Sequence, residues 1–157
     1  MSRRQSIPEQ WLIIDKQLDR RAVTTIRNLP RGRGVLVLCE VSPGARRRLR
    51  NLAVTNNLTV MFEGPGAAAR IHNIRELTCA RLRRTPLILI SPIHRTRSHP
   101  DWKPLPRMRA AVLAQLADRQ AIALGGMDEK RFRRVQPLGF VAWAGIGAWL
   151  KVTKVAG

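Results

Sequence analysis

Pro86-Leu-Ile-Leu-Ile90 is apolar at every position and runs straight into a polar stretch that opens with Ser91-Pro92. A strand with one wet face alternates apolar and polar side chains. An unbroken apolar run is instead covered on both faces, which marks a parallel sheet between helices. Working outward, Val35-Leu-Val-Leu-Cys39 reads the same way. So do Trp11-Leu-Ile-Ile-Asp15, Leu58-Thr-Val-Met-Phe62, Ala121-Ile-Ala-Leu124 and Phe140-Val-Ala-Trp143, while Ala68-Ala-Arg-Ile71 is a weaker, short strand. Helical patterns lie between them. Leu18, Ala22, Ile26 and Leu29 share one face, and Ser42-Pro43 opens a helix to about Thr55. Asn73 caps a helix to Arg83, with Glu76 completing a capping box. Met108 to Leu116 is helical, Asp128 caps a basic helix to about Val135, and Ile146 to Val152 forms a terminal helix.

Seven strands spaced by roughly 20 residues fit an open α/β sheet or a (β/α) barrel. Between Phe62 and Ile71 the chain reads Glu63-Gly-Pro-Gly-Ala-Ala-Ala-Arg70. That is too short for the helix and strand of a complete unit, since a crossover needs at least ~10–12 residues. One unit is therefore expected to be missing there. The two sheet edges this exposes suggest a homodimer. Residues 1–9 read as a basic tail and 10–157 as a single domain.

The length of 157 residues, with 45% hydrophobic and 25% charged residues, is that of one folded domain. Cys39 and Cys79 are too few for a disulfide framework and show no CxxC zinc spacing. The apolar runs are too short to cross a membrane, and no apolar leader core follows the basic start. A cytoplasmic protein without a membrane partner is expected. The net charge is +19, from 29 Lys plus Arg against 10 Asp plus Glu. Such a charge invites a nucleic-acid reading, but 24 of the 29 are Arg, spread along the chain with their runs in helix-like segments. Aromatics are 4%, too few to serve as stacking platforms. Nucleic acid is therefore not the expected partner, and phosphorylated small molecules are.

Ligands of parallel α/β folds sit at the carboxyl ends of the strands. Those ends deliver Asp15, Glu40, Glu63, His72, Ser91, Gly125-Gly126 and Gly145. Glu40 and Glu63 are candidate ligands for Mg²⁺, which takes a few carboxylates together with phosphate oxygens. The loop Ser91-Pro-Ile-His-Arg-Thr-Arg-Ser-His-Pro100 holds two His, two Arg, two Ser and one Thr in ten residues. Arg95 and Arg97 suit bidentate phosphate binding, and Thr96 and Ser98 add hydroxyl donors. Gly125-Gly126 and Gly145-Ile-Gly147 precede helix starts, where backbone N–H groups can meet an anion.

Ser91 to His99, Ala121-Ile-Ala-Leu-Gly-Gly-Met127 and Gly139-Phe-Val-Ala-Trp143 together resemble the thiamine-phosphate synthase and thiazole tautomerase superfamily. His72 resembles the histidine at that family's fifth strand, and the likeness covers Ile71 to Leu150. The resemblance implies a (β/α) TIM-barrel-like fold, here incomplete with about seven parallel strands. It implies a transferase that couples hydroxymethylpyrimidine diphosphate to thiazole phosphate, releasing pyrophosphate, with Mg²⁺. Thiazole phosphate would meet Gly125, Gly126, Gly145 and Gly147, and pyrophosphate would meet Thr96 and Ser98. His72 and His99 would join them in catalysis, with Ser91, Arg95 and Arg97 holding phosphate. On this reading Gly126→Val abolishes phosphate-ester binding and leaves the fold in place.

The chain departs from the family pattern on one side. The family's Gln-x-Arg-x-Lys is here Val37-Leu-Cys-Glu-Val41, its Asn-Asp is Glu63-Gly64, and its loop Lys is His99. The alternatives are a degenerate relative that binds a phosphorylated metabolite or acts as a tautomerase without coupling, and a basic polyanion-binding protein.

Overall fold

A computed structural model describes residues 6–64 and 66–146. The order is β1 (Gln10–Ile14), α1 (Arg20–Arg27), β2 (Gly34–Val37), α2 (Pro43–Asn56), β3 (Thr59–Phe62), β4 (Ala68–Ile71), α3 (Ile74–Leu82), β5 (Leu87–Ile90), α4 (Arg107–Ala117), β6 (Ala121–Leu124), α5 (Glu129–Val135) and β7 (Ala142–Gly145). All seven expected strands are present. Most of the terminal helix expected at 146–152 lies outside the described residues.

Every strand pair is parallel, in the order β3-β2-β1-β7-β6-β5-β4. The first and last strands pair, so the sheet curls into a barrel that closes everywhere except between β3 and β4. Each successive pair of strands is joined through a helix except at that seam. There the only pairing among the described residues is an isolated antiparallel bridge between Gly64 and Ala68. The bridge sets the end of β3 beside the start of β4, the stagger that strand tilt imposes on a ring. A short turn can therefore do the work of a whole crossover. The seam, which has no helix, lies between Phe62 and Ile71, where a unit was expected to be missing.

Local chemistry starts the helices. Asp19, Ser42, Asn73 and Asp128 each cap their helix by accepting the N–H of Ala22, Ala45, Glu76 and Arg131. The Glu76 carboxylate reaches one residue further back than a capping box requires and accepts the His72 N–H at 2.6 Å.

Alternation along the strands divides the core. One face carries Leu12, Ile14, Val35, Val37, Ile88 and Ile90 and packs against helix residues such as Ile26, Leu49, Leu77, Leu113 and Phe132. The other face points into the barrel and carries Trp11, Ile13, Leu36, Leu89, Ile122 and several alanines. Trp11 fills much of this interior, its indole N–H donating to the Pro8 carbonyl at 2.6 Å. The indole lies against the Cα of Gly34, where an added Cβ would sit 2.2 Å from the ring. Ile7 joins the interior cluster, and the Trp143 N–H donates to the Glu9 carbonyl at 2.9 Å. Residues 7–9, read as tail from composition, are thus bound to the barrel.

The contact makes Gly34 a sensitive position. Gly34→Val is expected to lower stability by about 1–3 kcal/mol in urea unfolding, as overpacking does. Trp11→Leu in the same chain should restore part of that loss.

Candidate functional site

Residues that share strand parity with the barrel interior emerge at its carboxyl-end mouth. They include Asp15 after β1, Glu40 after β2, Glu63 after β3, Arg70 in β4 with His72 beyond it, and Ser91 after β5. The structure ties His72 most firmly. Its Nδ1 lies 2.7 Å from the Ser91 carbonyl, and the Ser91 hydroxyl is 3.5 Å from the same atom. A carbonyl only accepts, so the neutral ring carries its proton on Nδ1 and leaves the Nε2 lone pair free to accept.

The loop after β5 folds back toward this histidine. Its base is closed by the Leu105 N–H donating to the Pro92 carbonyl at 2.8 Å. Its first residues extend the sheet: Ile93 N–H donates to Leu124 and His94 N–H to Gly125. Further on, the His99 N–H donates to Thr96 Oγ1 at 3.0 Å, and the Trp102 N–H to the His99 carbonyl at 3.1 Å. The Trp102 ring stacks on His99 at 4.2 Å and meets His72 edge-on at 6.0 Å. His72, Ser91, His99 and Thr96 are therefore joined in one cluster. Trp102 is the connecting piece that sequence reasoning missed, although a lone aromatic in a polar loop was a usable signal. Arg95, Arg97 and Ser98 stand exposed on the same loop.

The expected metal side is different. Glu63 is held by Arg70, Nε to Oε1 at 2.8 Å and Nη2 to Oε2 at 3.2 Å. Glu40 is exposed, and among the described residues no group of three His, Cys, Asp or Glu side chains could hold a metal. Mg²⁺ prefers oxygen donors free of a competing cation. The donor set does not fit it, because its best-placed carboxylate already neutralises a guanidinium. Arg70 was legible only as a charge inside an apolar strand. Cys39, at the end of β2, is no ready nucleophile: burial pushes its thiol pKa up and Asp15 adds to the rise, against a backbone hydrogen bond that lowers it.

The glycine corner after β6 packs closely against the β5 loop. Gly125 and Gly126 have φ of +103° and +58°. A Cβ on Gly126 would lie 2.7 Å from the Arg95 carbonyl oxygen, and one on Gly125 would lie 3.0 Å from the backbone of Pro92 and Ile93. The Arg131 guanidinium donates to the Gly126 carbonyl, and the Asp128 carboxylate occupies the start of α5. Both glycines thus have a packing reason, the close approach of the β5 loop. Gly145 is buried at the end of β7, and Gly147 lies outside the described residues. Burial and the Arg131 charge lower the pKa of His94, with Asp128 opposing and Arg134 adding to the fall.

Two consequences are measurable. Gly126→Ala is expected to cost about 1–3 kcal/mol in urea unfolding, from positive φ and the approach of Arg95. Gly126→Val, expected to keep most of its fold, carries the same strain at positive φ. His94 binds its proton less readily in the folded than in the unfolded chain. Its contribution to stability is full above its ordinary value of about 6.5 and is lost as pH falls through the lowered one. Urea midpoints taken from about pH 7.5 down to 5 should fall, and His94→Asn should flatten the slope.

No family model matches the chain, and no curated protein matches it. Solved structures do. Thiamine phosphate pyrophosphorylase from Pyrococcus furiosus aligns over 98% of this chain and 99% of that chain, with TM-score 0.70 and 13% identity. Thiamine phosphate pyrophosphorylase from Bacteroides thetaiotaomicron aligns over 90% of this chain and 84% of that one, with TM-score 0.54 and 14% identity. The chain therefore has the fold of these two enzymes, a TIM-barrel-like α/β fold carried here on seven parallel strands.

Proposed function

We propose that the protein is a thiamine-phosphate-synthase-like transferase, joining hydroxymethylpyrimidine diphosphate to thiazole phosphate at the carboxyl-end mouth. The observation that carries this reading is the loop after β5. It starts at a buried strand, is pinned to the β6 corner, and presents Arg95, Thr96, Arg97 and Ser98 at the rim. The full-length likeness in fold supports it. In the reaction, the bond between the pyrimidine methylene carbon and the diphosphate oxygen breaks, and its electron pair leaves with pyrophosphate. The thiazole nitrogen lone pair forms the new C–N bond. Negative charge grows on the leaving group, and guanidinium groups near it stabilise that charge more in the transition state than in the ground state. His72 Nε2 accepts a hydrogen bond from substrate, its ring oriented by Ser91 and Trp102.

A second reading is favoured by one observation, the Glu63–Arg70 pair. With that carboxylate neutralised, the site suits a phosphorylated metabolite held without coupling, or a proton transfer through His72. One experiment separates the two: a coupling assay with both substrates, with and without Mg²⁺, beside calorimetry of thiazole phosphate. Product formation, lowered about 100-fold or more in Arg95→Ala/Arg97→Ala, supports the transferase. Tight binding with no product supports the second reading, and neither binding nor product defeats both.

A further inference from the structure

Five apolar side chains stand in solvent on two neighbouring helices. On α4, Met108, Val112 and Leu116 recur at four-residue spacing and are 77%, 48% and 40% exposed. On α3, Ile74 and Leu82 are 58% and 80% exposed. The inward faces of both helices are already filled, by Leu77 and Ala80 on α3 and by Ala110, Leu113, Ala114 and Ala117 on α4. Each helix is therefore apolar on a second face that the barrel does not use. Arg81 of α3 donates to the Leu116 carbonyl at 2.8 Å, which ties the two helices together at their ends. Both helices return from parallel strands, so they run in the same direction and their rows lie side by side over about 12 Å.

We propose that this α3–α4 face docks a second copy of the chain about a two-fold axis. Three arguments select that occupant. The five side chains offer on the order of 500 Å² of apolar surface, and a standard interface takes about 800 Å² per partner, roughly two thirds of it apolar in homodimers. The exposed Arg75, Arg81 and Arg109 flank the apolar rows, but the densest run of charge lies elsewhere. An anionic partner would be drawn to α2 with Arg46, Arg47, Arg48 and Arg50. Finally, a patch at helical spacing complements itself when two helices cross at a two-fold axis. The sheet edges at β3 and β4, the place expected from sequence, are four residues long each and partly bridged by Glu63 and Arg70.

The charge gives the proposal a distinctive signature. Two copies of +19 repel, and salt screens that repulsion without weakening apolar contact. Sedimentation velocity of the full chain in about 0.05 M and about 0.5 M salt should show a monomer–dimer equilibrium at least about tenfold tighter in the higher salt. Val112→Arg, at the centre of the face, should weaken it about 30-fold or more with an unchanged far-UV spectrum. Val54→Arg, a more exposed apolar position on α2, should leave it unchanged. If Val112→Arg fails to fold, Met108→Lys carries the same test. A monomer at both salts, a dimer indifferent to these face substitutions, or an association that weakens with salt would each overturn the proposal. The last outcome would point to charge-driven contact with an anionic partner.

Discussion

The indole of Trp11 lies on the bare Cα of Gly34, and the barrel is built around that contact. Seven strands enclose a narrower bore than eight, and the bore must be filled without voids or overlap. One large side chain does most of this, set against small ones: Ala68, Ala142, Ala144 and the glycine itself. Because β1 pairs with both β2 and β7, the residue that fills the bore also sits where the ends of the described chain meet. The interior packing and the ring's near-closure are thus one constraint.

The seam between β3 and β4 is where that ring lacks a unit, and the chain manages it with local contacts. The Gly64–Ala68 bridge and the Glu63–Arg70 pair cross the gap. The pair is about a third exposed, so it contributes under ~1 kcal/mol and acts mainly to fix geometry. On the outer side, Arg46 and Arg50 of α2 place their guanidinium groups over the Phe62 ring at 4.6 and 5.5 Å. Positive charge on α2 thus covers apolar surface that a further helix would otherwise cover. Covering the seam has a chemical consequence: a carboxylate at the mouth is committed to arginine.

At the mouth itself, the β5 loop is held at its base by backbone bonds to β6 and at its tip by stacked rings. This leaves the two arginines between those anchors exposed. The glycine corner, His94 and Arg131 form its support, and a depressed histidine pKa follows from packing a neutral imidazole beside a guanidinium. Anchoring of this kind lowers the conformational entropy that the loop must lose to grip a ligand.

Much of the architecture was determined by the sequence alone. Unbroken apolar runs such as Leu87–Ile90 announce strands covered on both faces, caps such as Ser42 and Asn73 mark helix starts, and nine residues after Phe62 cannot hold a full unit. These are local signals, fixed by backbone hydrogen bonding and by solvent exclusion within a few residues. The site was legible only as a set of strand ends. Which of them meet was decided by the tertiary structure, because His72, Ser91 and Trp102 come together through register and loop closure. Likewise, Arg70 lies close to Glu63 in sequence, but only the curl and stagger of the sheet sets its guanidinium on that carboxylate. The glycines show the limit most clearly. The sequence reads Gly125-Gly126 as room for an anion, and only the fold adds a second reason for glycine there, the close approach of the Arg95 carbonyl to where a Cβ would stand.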